Sequence, residues 1–231
     1  IENLSSLESN SIPFYLAPVI TSITPDNGPN GQWVTIKGYN FGEYVEDQSK
    51  VIFFNGQEAE FPPEPCENYW TNKQIIVVVP EQANTGEVFL LTAQGLVSNS
   101  VIFTVNNKPL AAGICEIKPS EGVADTPVIV KGDNFDEDNN GQGADKLVFS
   151  DNQSAPVSGW TNTNIEARVP FGSRDGDVVV SKQREVDRSC VGFSIGSWCP
   201  SGQYDIIYED FLSNPVNFEI TPSCQENNVA L

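Results

Sequence analysis

Histidine is missing from all 231 residues, and with it the general base that Ser/His and Cys/His catalysts need near neutral pH. Methionine is missing too, so the chain has no initiator residue and reads as a mature product or an excised piece of something longer. Any export signal or anchor would then lie outside it. Cations are scarce: 12 Lys and Arg stand against 31 Asp and Glu, a formal net charge of −19. Such a chain repels phosphate backbones and anionic membranes, which argues against nucleic acid as a partner. No stretch approaches the about 20 apolar residues of a bilayer-crossing helix, so direct membrane insertion is not expected. The five cysteines form no CxxC pair and have no His partner, which leaves a tetrahedral zinc site without support.

Glycine (18) and proline (16) cut the chain into short runs rich in Val, Ile, Phe and Thr, the pattern of strands joined by turns. The expected fold class is all-β. Residues Val34-Thr35-Ile36, 50–54, 74–79, 87–92 and Val101–Val105 read as strands, and Val34-Thr35-Ile36-Lys37 alternates as a sheet with one wet face requires.

One pattern occurs twice. Ile23, Pro25, Gly28, Val34, Lys37, Gly38, Asn40 and Phe41 recur 94 positions on as Ile117, Pro119, Gly122, Val128, Lys131, Gly132, Asn134 and Phe135. Trp70-Thr71-Asn72 answers to Trp160-Thr161-Asn162, and Ser98-Asn99 to Ser213-Asn214. The organisation that follows is a tail at 1–17, a first copy at 18–105, a linker at 106–112, a second copy at 113–221 and a tail at 222–231. Within the linker, Asn106-Asn107-Lys108-Pro109, polar and ending in Pro, reads as a hinge. The second copy carries extra residues at 181–210.

The Pro…Gly…Val-x-Ile-x-Gly-x-Asn-Phe pattern resembles the opening of an IPT/TIG domain, in residues 23–42 and again in 117–135. The resemblance implies two tandem immunoglobulin-like antiparallel β-sandwiches, of a kind found in cell-surface receptors, bacterial surface and carbohydrate-active proteins and Rel-type transcription factors. Acidic charge argues against the last, since a DNA reader needs a basic loop. In the motif, Gly38 and Gly132 are expected at tight turns, with Phe41 and Phe135 plugging the cores. Trp70 and Trp160 are expected in the cores as well, whereas Trp33, with Pro127 at its equivalent, is expected to be exposed.

Four cysteines fall in or just after the second copy. Cys190 and Cys199 bracket a short loop that a disulfide would close, and Cys115 and Cys224 would staple the ends of that copy. Cys66 is then left unpaired or bonded to another chain. Disulfides imply an oxidising, extracellular or cell-surface setting. Within the insertion, Phe193, Trp198 and Tyr204 are candidates for a binding loop.

Asp136, Asp138 and Asn140, followed by Gly141, follow the D-x-D-x-N-G spacing of calcium loops, and Asp133 and Asp145 are placed to complete the oxygen shell. Leu147 stands where an EF-hand has its bidentate Glu, so Ca2+ is a tentative cofactor and a solvated acidic turn the alternative. Gly192-Phe193-Ser194-Ile195-Gly196 matches the G-x-S-x-G elbow of serine hydrolases, an accident in a chain without His. In the N-terminal tail, Ile12, Phe14 and Leu16 are candidates for adding a strand to a neighbouring subunit. The expected function is non-enzymatic: an extracellular structural or adhesive module, with a filament subunit assembled by strand addition as one form. The alternative is an accessory module of a larger secreted protein that binds carbohydrate or protein.

Overall fold

A computed structural model describes residues 15–64, 66–135, 145–190 and 204–221, with backbone alone for 185–190 and 204–206. The described chain is all-β, built of mostly antiparallel strands, with Asn27–Gly28 pairing parallel to Val101–Val105 and Glu121–Gly122 to Val216–Ile220, and with two single-turn 3-10 segments between strands. The first half contains β1 (Val19–Thr24), β2 (Asn27–Gly28), β3 (Trp33–Tyr39), β4 (Lys50–Phe53), β5 (Gln57–Glu58), β6 (Gln74–Val78), β7 (Gly86–Leu91) and β8 (Val101–Val105). They form a sheet of order β1-β3-β6 and a second of order β2-β8-β7-β4-β5.

The second half repeats this plan with β9 (Gly113–Lys118), β10 (Glu121–Gly122), β11 (Pro127–Asp133), β12 (Lys146–Phe149), β13 (Gln153–Ser154), β14 (Val157–Trp160), β15 (Asn164–Arg168), β16 (Gly176–Cys190), β17 (Tyr204–Leu212) and β18 (Val216–Ile220). One sheet runs β14-β15-β11-β9 and the other β10-β18-β16-β12-β13, with β17 added on β16. The described part of the 181–210 insertion is thus a ribbon, in which β16 and β17 pair from Ser181 with Leu212 out to Cys190 with Tyr204.

Alternation puts every second side chain between the sheets. In the first half Val34, Ile36, Ile75 and Val77 from one sheet meet Val51, Phe53, Val88, Leu90 and Phe103 from the other. Phe53 and Phe103 contact edge to face at 5.7 Å, and Phe149 and Phe218 do the same at 5.4 Å in the second half. Phe41 and Phe135 are fully buried, as the motif implied.

Gly38 and Gly132 serve those rings rather than a turn. Both lie within strands, and a Cβ on Gly38 would stand 2.0 Å from the Val19 carbonyl and 2.6 Å from the Phe41 ring. On Gly132 the distances to the Gly113 carbonyl and Phe135 are 1.9 and 2.6 Å. Only a residue without a side chain lets backbone and ring approach so closely. The left-handed turn falls instead on Asn40 (φ 61°) and Asn134 (φ 58°), the non-glycine residue that tolerates it best.

A further repeated device closes each sandwich. Asn99 Oδ1 accepts from the Ile20 N–H (2.8 Å) and its amide donates to the Ile20 carbonyl (3.0 Å); Asn214 clamps Ile114 in the same way at 2.8 and 2.7 Å.

The two halves are joined by more than the connecting chain. Thr35 Oγ1 donates to the Pro215 carbonyl (2.8 Å) and accepts from Asn214 Nδ2 (3.0 Å), and all three residues are buried. Lys37 pairs with Asp177. The expected hinge is pinned: the Ala111 N–H donates to Gln32 Oε1 at 3.1 Å, and Ala111 and Ala112 are buried.

Two expectations fail at this junction. Trp33 is buried (8% exposed), because its ring lies where a side chain on Gly113 would be. Cys66 and Cys115 form a disulfide, with Cα atoms 5.7 Å apart, between the halves. Cys66 is therefore neither unpaired nor intermolecular, and Cys115 does not pair with Cys224. The physical cause is a β-bulge. The register passes from Glu116 opposite Lys131 to Ile114 opposite Gly132, so Cys115 is the unpaired extra residue and its side chain leaves its own sandwich. Cys190 is described by its backbone alone, and Cys199 and Cys224 lie outside the described residues.

Candidate functional site

In the segment between β5 and β6 the first copy is the longer. Ala59 and Ala155 occupy the same place, each donating its N–H to the carbonyl of the strand before it, Val51 or Leu147. From there to the equivalent tryptophans the first copy takes 11 residues (59 to 70) and the second 5 (155 to 160), so six are extra. The added stretch contains Pro62, Pro63, Pro65, Cys66 and Tyr69.

This longer loop is held at three points. Glu60 bridges to Val78, Trp70 bridges to Ile75, and Cys66 is tied to Cys115 of the other sandwich. Its aromatics pack with Tyr44, from the connection between β3 and β4. Phe61 and Tyr69 stack at 4.6 Å, and Tyr44 meets them edge-on at 5.0 and 5.7 Å. Trp70 donates Nε1–H to the Gly42 carbonyl (3.1 Å), and Trp160 donates to the Phe135 carbonyl (3.0 Å) in the second sandwich. Trp70 is buried as expected, whereas Trp160 is partly buried against its core.

Between this loop and the second sandwich lies a cleft of about 760 Å³. Tyr44, Tyr69 and Trp70 supply its aromatic surface. Glu64, Glu67 and Asn68, all exposed, supply polar groups, and Lys131 enters from β11 of the other sandwich. Asn68 stands in the left-handed region (φ 53°) that lets the loop turn before Tyr69. The Cys66 disulfide also lines the space.

Behind Lys131 sits Glu116, its side chain only 7% exposed. Its Oε1 lies 2.6 Å from Lys118 Nζ and its Oε2 3.5 Å from Lys131 Nζ; the longer contact is an ion pair but not a hydrogen bond, and Oε2 has no hydrogen-bond partner. The hydrogen bond to Glu116, aided by the charges of Glu116 and Glu67, lifts the Lys118 ammonium above its usual range despite some desolvation. Burial lifts the Tyr44 hydroxyl above 10.0, and Tyr69, Glu46, Asp47 and Glu58 push it the same way. The cleft thus combines aromatic faces, hydrogen-bond acceptors and a cation with its own counter-charge. Such a set offers contacts for a ligand, and the lining residues present no nucleophile–base pair.

Residues 18–105 match the family model of the IPT/TIG domain. Residues 18–105 are an IPT/TIG domain. The sandwich that follows this IPT/TIG domain repeats its strand order, as described above. No curated protein matches the chain. Among solved structures, the plexin A4 extracellular region is 22% identical with a TM-score of 0.33, over 71% of this chain and 17% of that one. A surface glycan-binding protein of Prevotella bryantii is 22% identical with a TM-score of 0.28, over 72% of this chain and 40% of that one. A protein of the Bacteroides ovatus mixed-linkage glucan utilization locus, in complex with a mixed-linkage heptasaccharide, is 14% identical with a TM-score of 0.30, over 88% and 46%. The chain spans less than half the length of each.

None of the described calcium, binding-loop or strand-addition candidates lines the cleft. Asp133 accepts a hydrogen bond from Asn162 Nδ2 (3.0 Å) at the end of β11. Asp145 accepts from the Gln183 N–H (2.9 Å) and pairs with Arg184 Nη1 (3.2 Å). Asp136, Asp138 and Asn140 lie outside the described residues, as do Phe193 and Trp198 of the binding-loop expectation; Tyr204 opens β17, described by backbone alone. Ile12 and Phe14 also lie outside, and Leu16 is exposed. Sequence reasoning missed Tyr44, Tyr69, Asn68 and Glu116, which belong to no motif, and read Lys131 only as a repeat position. The signal that was there is the six-residue excess before Trp70, which carries the odd cysteine.

Proposed function

We propose that the chain is a rigid accessory binding module of a surface-exposed or secreted protein, with residues 18–105 and 113–221 as its two folding units. The observation that supports this reading is the covalent and buried polar bracing between the sandwiches, the Cys66–Cys115 disulfide together with the Asn214–Thr35–Pro215 hydrogen bonds. A flexible tandem needs neither. Fixing one domain against the next removes the ordering cost a ligand would otherwise meet, so a cleft built from both halves keeps one shape. A disulfide between domains also suits the oxidising surroundings of a secreted or surface protein. The strand-addition reading rests on Ile12 and Phe14, outside the described residues, and on Leu16, which is exposed.

The test is rotational. In 15N relaxation of the oxidised chain, both sandwiches should report one common tumbling time. Separate tumbling times in the oxidised wild type would sink the rigid-module reading.

A further inference from the structure

The geometry points to the junction cleft as the binding site for a neutral oligosaccharide. This inference rests on the rigid-module reading and adds the ligand class.

Size comes first. Small-ligand sites run roughly 300–1,000 Å³, and the cleft, at about 760 Å³, is within that range. Chemistry follows. A pyranose ring offers apolar C–H faces edged by hydroxyls that both donate and accept. The cleft mirrors that alternation: Tyr44, Tyr69 and Trp70 offer aromatic surface, while Glu64, Glu67, Asn68 and Lys131 offer acceptors and donors around it. The indole N–H of Trp70 is already bonded to Gly42, so what Trp70 gives the cleft is ring surface.

Charge then decides among ligand classes. The chain as a whole carries −19, which disfavours polyanions. At the cleft the balance is different. Glu116 and Glu67 face Lys118 and Lys131, and Glu64 is left over among the lining residues, while Glu46, Asp47 and the Lys50-paired Glu58 act on Tyr44 from outside the lining. A cationic peptide would have to bring its charge up against the ammonium of Lys131 in the cleft wall. An acyl chain would strand Glu64, Glu67 and Asn68 against hydrocarbon. A neutral polyhydroxyl chain satisfies every group present.

The test titrates neutral gluco-, manno-, xylo- and galacto-hexasaccharides into the disulfide-intact chain by calorimetry, with tryptophan fluorescence in parallel. At least one should bind more tightly than about 10 mM. That affinity should change less than about twofold between roughly 0.05 and 0.5 M salt, because no net charge is neutralised. Tyr69→Ala should weaken binding about tenfold, the loss expected of an aromatic anchor. Because Tyr69 also packs under the loop, Glu67→Ala, at an exposed position, provides the second variant, with a several-fold loss and an unchanged melting temperature. The proposal is overturned if no hexasaccharide binds, if both variants bind as the wild type does, or if polylysine alone binds and is released by salt. Should any of these occur while both sandwiches still tumble as one body, the ligand class fails and the rigid-module reading stands.

Discussion

The two sandwiches carry the same sheet face and treat it in opposite ways. On the first, Trp33, Thr35 and Ile76 point outward from β3 and β6 and are buried, because the second sandwich covers them. On the second, Pro127, Ile129 and Glu166 stand at the matching positions of β11 and β15 and face solvent, with Ile129 44% exposed. The next outward position of the same strand is Val78 in the first copy and Arg168 in the second. The reciprocal surface differs as well: Gly113, flat under the Trp33 ring, answers to Val19, which is exposed. Core positions recur between the copies because both must fill the same space. Docking positions diverge, because one face has to shed water and the other has to keep it. The pair is therefore directional, and its order is written in the few positions where the repeat fails.

The disulfide gives the largest way to break that pairing. It closes a separation of 49 residues, for which the loss of unfolded-state entropy predicts about 4 kcal/mol. Replacing both Cys66 and Cys115 by Ala should lower the urea unfolding free energy by that order and allow two transitions to be resolved. A single unchanged transition would mean that the bridge does not restrain the halves.

Giving the second copy the first copy's residue should come next. In Gly113→Val the new Cβ would lie 2.3 Å from the Trp33 ring, so the ring or the strand must shift. Overpacking of this kind costs about 1–3 kcal/mol, and Trp33 fluorescence should shift toward that of a wetter indole.

Asn214 and Asn99 share one clamp, yet only Asn214 is fully buried and reaches across to Thr35. Asn214→Ala should cost about 1–3 kcal/mol, because Thr35 and the Ile114 backbone groups are left unpaired away from water. Asn99→Ala should cost less, since Asn99 is exposed and water can replace it. Thr35→Ile should resemble Asn214→Ala. Equal losses for the two asparagines would remove the distinction between a clamp and a clamp that also docks.

Much of the fold was legible in the residues because a repeat at fixed offset reports what each copy needs alone: alternating Val and Ile, the Phe41 and Phe135 plugs, the Asn at the left-handed turn. What the copies do to each other has no offset. Trp33 read as exposed because Pro127 stands at its equivalent, and its burial depends on Gly113, which no local pattern links to it. The Cys66 pairing failed for the same reason, since the bulge that turns Cys115 outward shows only in the strand register. The candidate site gathers Tyr44, Tyr69 and Lys131 from three stretches of chain, and only the lengthened loop marked the place.

A smaller effect follows from the groups around the cleft. Tyr44 holds its proton more tightly in the folded chain than its unfolded value of 10.0, first through burial and then through nearby acids. Lys118 does so above 10.5, first through its hydrogen bond to Glu116. A folded-state value raised above the unfolded one gives stability that is complete below the unfolded value and is lost as pH climbs through the folded one. The urea midpoint should accordingly hold steady up to about pH 9 and fall above pH 10, and Tyr44→Phe should flatten the first part of that fall. A midpoint that rises with pH in this window would contradict the packing around Tyr44.

The smallest effect is the sharpest check on the directional pairing. Ile129→Thr writes the docking residue of the first copy onto the open face of the second, where no sandwich sits. With only partial burial to lose and no partner sandwich to gain, the change should stay within about 0.5 kcal/mol of wild type. Thr35→Ile makes the reverse exchange at the equivalent position and should cost several times more, because it removes the hydroxyl that serves both Asn214 and Pro215. The two substitutions swap the same two side chains on the same fold, so any gap between them measures the neighbour and nothing intrinsic to the strand. If they prove equally mild, the buried face of the first sandwich is not held by the second in solution.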